Sequence, residues 1–172
     1  DYSYYGRFKI NESKIYKKID RTTFRSMWAF PKKPKNWKGE NCQFEKIGAE
    51  DIIIDIDADN LNDALATMQT TVDYLIKKYN LNCNVWYSGK KGFHIVIPFK
   101  ECIELSTFDV GKTARIVGAY ESLLDELPVK DSYDDTLKQV TRIIQQSNKK
   151  KDKTDKERGY KICIGENGNI DS

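Results

Sequence analysis

The alternation of apolar and polar positions changes period several times along the chain, and each change marks an element. Residues 50–60, EDIIIDIDADN, crowd four isoleucines together before a turn-forming cluster, which predicts a buried strand with carboxylates at its end. From 61 to 80, Leu61, Ala64, Leu65, Met68, Val72, Leu75, Ile76 and Tyr79 fall at helical spacing. Their spacing predicts an amphipathic helix with its Met and aromatic positions in the core and Asp59 or Asn60 as N-cap. Two strand-like runs, 83–88 and 93–98, follow, joined by Gly89-Lys90-Lys91-Gly92, short and glycine-rich enough for a hairpin. A second helix is expected over 110–127, with Ala114, Ile116, Val117, Tyr120, Leu123, Leu124 and Leu127 inward, and a third helical stretch over 134–146. After the charged segment NKKKDKTDKER, GYKICI closes as a strand. Helices alternating with strands, one pair of them a hairpin, predict an α+β sandwich with a mixed sheet.

Composition narrows this picture without redirecting it. The 172 residues suit one domain or two small lobes sharing a core, and 39% hydrophobic with 32% charged residues places the chain among globular proteins. The longest apolar runs fall far short of a membrane span. With no signal-peptide core and no initiator methionine, the expectation is a domain excised from a larger intracellular protein. Cys42, Cys83, Cys102 and Cys163 are scattered and a single histidine is available to join them, which argues against a zinc site and for reduced, ordinarily buried thiols.

Net charge is only +3, yet its distribution is uneven. Between Arg7 and Lys38 eleven lysines and arginines face only Glu12 and Asp20, interleaved with Phe8, Tyr16, Phe24, Trp28, Phe30 and Trp37. Cations neutralise phosphates and aromatic faces stack on unpaired bases, so residues 1–50 suit a single-strand surface. A solvated basic face over an aromatic core is the other reading of the same residues.

The sharpest local signal is Asp55-Ile56-Asp57. A two-residue period sends both carboxylates to one face of the strand and Ile54 and Ile56 to the other. Adjacent anions repel and resist burial unless a cation compensates, and hard oxygen donors at this spacing suit Mg2+ or Mn2+. Alternatively the aspartates mark a strand leaving the core, and Asp59 a helix cap. A calcium loop fails, because Asn60 stands where its glycine belongs and Ala66 where its glutamate belongs.

Ser88-Gly-Lys-Lys-Gly-Phe-His94 holds the lone histidine. With a five-residue loop, Ser88 and His94 would face each other across the ladder, with glycine amides and Lys90 and Lys91 beside them for phosphate oxygens. It is neither a dinucleotide fingerprint nor a Walker loop, and Gly111-Lys112-Thr113 lacks the first glycine of the latter. A histidine in an apolar strand can also be purely structural. A third cluster, Lys130-Asp131-Ser132-Tyr133-Asp134-Asp135, puts acids in a turn, where Asp134 and Asp135 suit a helix N-terminus and Asp131 is freest to be a ligand.

Read in order, IIIDID, then YSGKKGFH about thirty residues later, then the acidic turn, Thr141-Arg142-Ile143-Ile144 and GYKI, the chain resembles the archaeo-eukaryotic primase superfamily. Phe24-Arg25-Ser26-Met27-Trp28-Ala29-Phe30 is similar to the arginine-aromatic segment preceding the first motif there. The chain departs from the pattern at Gln145, where many members carry a second arginine, and at Lys153-Thr154-Asp155, where they carry Lys-Thr-Gly.

The resemblance implies a primase-polymerase catalytic core: an RRM-like mixed or antiparallel sheet packed with an N-terminal α/β lobe, 1–50 being the basic aromatic part and 51–172 the metal- and nucleotide-binding core. It implies two Mg2+ or Mn2+ ions on Asp55, Asp57 and Asp131, with Ser88, Lys90, Lys91, His94 and Arg142 on the nucleotide and Arg25, Trp28, Lys32 and Lys33 on template. Implied partners are single-stranded DNA template and primer, an NTP or dNTP, and further domains such as a helicase, an accessory primase or a CRISPR-associated module, with no membrane. The implied setting is cytoplasmic, in a prokaryote or mobile element. A metal-dependent nuclease or nicking domain would share the aspartates but not need the hairpin, and a catalytically silent nucleic-acid-binding module would keep only the fold.

Overall fold

Among the described residues seven strands and two α-helices follow one another as β1 (Phe24–Ser26), β2 (Trp28–Ala29), β3 (Lys46–Asp57), α1 (Leu61–Tyr79), β4 (Asn84–Tyr87), β5 (Gly92–Ser106), α2 (Val110–Glu126), β6 (Ile143–Gln145) and β7 (Ile162–Glu166). Short 3-10 turns at Lys130–Ser132 and Asp135–Lys138 lie between α2 and β6. The structure, a computed structural model, describes residues 24–26, 28–29, 46–106, 110–138, 143–145 and 161–168.

Five strands form one sheet in the order β2-β3-β5-β4-β7, and β1 pairs separately with β6. Every described pairing is antiparallel, so the α+β class holds while the sheet is not mixed. Strand β3 lies between β2 and β5. Ile53, Ile54 and Ile56 are all fully buried, and because successive side chains point to opposite faces, both faces of β3 are covered up to Asp55. That double cover is why the run reads as continuous isoleucine rather than as alternation.

Helix α1 packs against β3 and β5 through Ala64, Thr67, Met68, Thr71, Val72 and Leu75. Asn60 is its N-cap, its side chain accepting from the Asp63 amide at 3.0 Å, and Asn80 ends it in a left-handed conformation. The expected apolar stripe is too wide. Leu61, Leu65 and Tyr79 are exposed, and two threonines occupy the buried face instead. Thr71 can be buried because its hydroxyl donates to the Thr67 carbonyl at 2.6 Å.

Tyr79, expected in the core, lies at the surface, where it and Lys78 both reach Glu126 at the end of α2, the lysine at 2.7 Å. This hydrogen-bonded contact raises the Lys78 ammonium above its usual range and lowers the Glu126 carboxyl. On α2 itself, Tyr120, Leu124 and, just beyond its end, Leu127 are buried as expected, while Ala114, Ile116 and Val117 lie outside the residues whose side chains are described.

Among the described residues of 134–146 the third expected helix is not seen: 135–138 form a 3-10 turn and 143–145 form strand β6, whose partner β1 lies more than a hundred residues earlier, so a non-local ladder overrides local periodicity there. Cys83 is buried as expected, but Cys163 on β7 is exposed, and both are free thiols. No described helix is long and apolar enough to cross a membrane.

Candidate functional site

The register of three strands assembles the sequence motifs. In the β3–β5 ladder Asp55 is paired with His94 and Asp57 with Gly92. In the β4–β5 ladder His94 is paired with Trp86, and Trp86 in turn with Cys163 of β7. Directly paired residues share a face, so Asp55, His94 and Trp86 form one row across the sheet, and Asp57, Gly92 and Ser88 the next. Both motifs therefore lie on one face, at the end where β3 and the hairpin terminate.

The hairpin itself is closed by the Ser88 amide donating to the Gly92 carbonyl at 2.9 Å, which makes Ser88 the cross-strand neighbour of Gly92. The expectation that Ser88 faces His94 directly is thus corrected: Trp86 stands opposite the histidine, and Ser88 is on the same face one row nearer the loop. Gly89 takes φ 100°, open to glycine at no steric cost, and the Tyr87 hydroxyl donates to the Lys90 carbonyl at 2.6 Å, bracing the loop. Gly92 must be glycine for another reason. A Cβ there would stand 2.5 Å from the Ile56 carbonyl oxygen and 3.2 Å from Ser88 Oγ. Lys90 and Lys91 are half-buried in the loop at this end of the sheet.

His94 is buried, and its Nε2 lies 3.4 Å from Asp55 Oδ1, with the Asp55 side chain 23% exposed. Its other ring nitrogen, Nδ1, is 2.6 Å from Lys161 Nζ. Lys161, immediately before β7, is almost fully buried, and its ammonium also lies 5.9 Å from the centre of the Trp86 ring. Sequence reading missed this lysine. The available signal was a single cation inside the strand-like GYKICI, whose alternation puts Lys161 on the face opposite Ile162.

The acidic turn joins β3 from its other edge. Tyr133 bridges to Ile56, and the Asp134 amide donates to the Asp55 carbonyl at 2.9 Å. Ladder geometry places Asp134 across from Asp55 and on its face, and Tyr133 on the face of Ile56. The Tyr133 hydroxyl accordingly meets the Thr71 hydroxyl of α1 at 2.7 Å. Asp131 instead sits exposed in a 3-10 turn, and Asp135 is exposed as well. Asp134 is half-buried, with Oδ1 accepting from the Thr136 amide at 2.9 Å.

Tyr120 of α2 donates to the Ile53 carbonyl at 2.8 Å. Burial first, then the negative charge of Asp55, Asp134 and Asp135, pushes its phenol far above the ordinary value. The three carboxylates thus share one neighbourhood.

Among the described residues no three His, Cys, Asp or Glu side chains gather into a ready-made metal cluster. The donor chemistry nevertheless fits a hard divalent cation: Asp55 and Asp57 offer carboxylate oxygens on one face of a strand end, and Asp134 offers another across the ladder. Arg142, Lys32 and Lys33 lie outside the described residues. Arg25 and Trp28 are described only in the backbone of β1 and β2.

No protein-family model and no curated protein matches the chain. Among solved structures it is similar to the polymerase domain of Mycobacterium tuberculosis ligase D in complex with DNA, at 17% identity and a TM-score of 0.42. The match covers 73% of this chain and 46% of that one, so the chain spans just under half its length.

Proposed function

We propose that this chain is the nucleotidyl-transfer core of a primase-polymerase. The observation that carries the reading is the pairing of Asp55 with His94, which brings the Asp-x-Asp strand and the Ser-Gly-x-x-Gly-x-His hairpin into adjacent rows on one face. A nuclease would need only the first of these, and a silent binding module neither.

In this reading Asp55 and Asp57 hold divalent Mg2+ or Mn2+, with Asp134 rather than Asp131 as the third carboxylate. The reason is position: Asp134 is fastened to Asp55 by a backbone hydrogen bond and shares its face, whereas Asp131 is exposed in the preceding turn. When bound, the cations supply Lewis acidity toward the transferred phosphate.

The chain's own groups orient the nucleotide. His94 and Ser88 approach phosphate oxygens from the sheet face, and the hairpin amides with Lys90 and Lys91 supply positive potential at its rim. Holding the triphosphate this way aligns the scissile bond for in-line attack by a 3′-hydroxyl. Arg142 would join them at the triphosphate, and the basic aromatic segment with Arg25, Trp28, Lys32 and Lys33 would carry single-stranded template through phosphate contacts and base stacking.

Incubation with a primed template, Mn2+ and labelled nucleotides tests the proposal. Extension that disappears in Asp55→Ala and Asp57→Ala supports it. Cleavage of the DNA would point to a nuclease, binding alone to a silent module, and synthesis that survives both substitutions would refute the site.

A further inference from the structure

The acidic turn touches strand β3 through an isolated bridge, Ile56 to Tyr133, with the Asp134 amide donating to the Asp55 carbonyl beside it at 2.9 Å. A bridge that is not continued into a ladder is a weak hold, because few backbone hydrogen bonds have to break for it to open. Tyr133 supplies a second attachment.

Its backbone is extended, at φ -107° and ψ 129°, so the side chains of Tyr133 and Asp134 leave on opposite faces. The phenol hydroxyl of Tyr133 lies 2.7 Å from the Thr71 hydroxyl of α1, and the Val129 backbone, earlier in the same turn, hydrogen-bonds to that phenol as well. The direction of the first contact follows from its neighbour. Thr71 has one hydroxyl hydrogen and gives it to the Thr67 carbonyl at 2.6 Å, so toward Tyr133 it accepts. The phenol is the donor in a short chain that runs from Tyr133 to Thr71 to the backbone of α1. That end is firm: Thr71 is fully buried, and Met68, Val72 and Leu75 beside it on the helix belong to the core.

We infer that Tyr133 and Thr71 are positioning residues, whose paired hydroxyls pin the acidic turn so that Asp134 stays across from Asp55, and thereby set the affinity of Asp55, Asp57 and Asp134 for a divalent cation. A ligand held in place by its surroundings loses less conformational freedom on coordination. The cation rests on the nucleotidyl-transfer reading; the pinning of the turn does not. Neither hydroxyl is a ligand itself, because Tyr133 lies on the face of Ile56, opposite to that of Asp55.

Tyr133→Phe and Thr71→Val each remove one hydroxyl of the pair at almost unchanged shape. Amide hydrogen exchange of the cation-free protein reads the pinning. Exchange at Asp134 should quicken roughly 2- to 10-fold in either variant, the scale of one neutral hydrogen bond. Binding of Mn2+ to the nucleotide-free protein, followed by EPR of the free ion, reads the consequence, which loss of stability alone would not produce. Affinity should weaken by roughly the same 2- to 10-fold in each variant, fall no further in the double variant, and be restored in Thr71→Ser, which keeps the hydroxyl.

Unchanged exchange at Asp134 in the folded variants overturns the pinning. Faster exchange with the parent's Mn2+ affinity overturns the effect on the cation and leaves nucleotidyl transfer standing. A parent whose Mn2+ binding is indifferent to Asp55→Ala overturns the metal reading of the site and the cation half of the proposal with it, while the exchange rates still decide the pinning. Should one variant not fold, the other carries both measurements.

Discussion

The Asp134 amide donates to the Asp55 carbonyl across 2.9 Å, and that bond places Asp134, from a distant turn, across the ladder from Asp55. Next to it, Tyr133 anchors the same turn on the opposite face through Thr71. The turn is therefore held to β3 by its backbone and to α1 by the Tyr133 phenol.

Two asparagine substitutions distinguish the acids of this turn. Asp134→Asn should lower template-directed incorporation on the order of 10²-fold, the scale of losing one electrostatic group in an active site. Asp131→Asn, at an exposed position, should change little. Steady-state incorporation with Mn2+, compared at matched secondary structure, separates them, and the reverse order would restore Asp131 as the third ligand.

Gly92 and Gly118 make a matched pair for stability. A methyl at Gly92 would meet the Ile56 carbonyl oxygen at 2.5 Å, so Gly92→Ala should cost about 1–3 kcal/mol, the usual range for overpacking. Gly118 lies inside α2 with nothing within 4 Å of an added Cβ, and Gly118→Ala should gain about 0.5–1 kcal/mol. Urea unfolding midpoints of the two variants should move in opposite directions.

Tyr120→Phe removes the buried donor to the Ile53 carbonyl. An acceptor left unpaired in the interior costs about 1–3 kcal/mol, which denaturant melts should register. A variant as stable as the parent would mean that another donor takes up that carbonyl.

Burial, and then the charge of Glu166, pushes the Cys83 thiol up from an ordinary 9.0 to about 11. Because the folded value lies above the unfolded one, the thiol's contribution to stability is complete below about pH 9 and is lost as pH rises through about 11. Cys83→Ala should therefore lose less stability than the parent between pH 8 and about pH 10.5 in urea titrations. In the folded protein an alkylating reagent should modify exposed Cys163 and spare Cys83.

The local half of this architecture was legible in the chain itself. Period-two and helical spacings located β3, α1, the hairpin and α2, and strand alternation alone put Asp55 and Asp57 on one face. Those features depend on neighbours within a few residues. The errors were also local inferences: the stripe on α1 included Leu61, Leu65 and Tyr79 because periodicity reports spacing, not which positions a sheet covers. The stretch over 134–146 looked helical because its partner strand β1 is far away in sequence.

What only the tertiary structure decided is who stands beside whom in the ladders. Trp86 rather than Ser88 opposite His94 follows from where the hairpin closes, a matter of one hydrogen bond between Ser88 and Gly92. Lys161 meets His94 across 67 residues of chain, and Asp134 meets Asp55 across a bridge at Ile56 and Tyr133. Side-chain type and spacing determined which residues could do chemistry. Register, set by non-local hydrogen bonding and by burial on both faces of β3, determined which of them stand together, because a one-residue slip would send each to the opposite face.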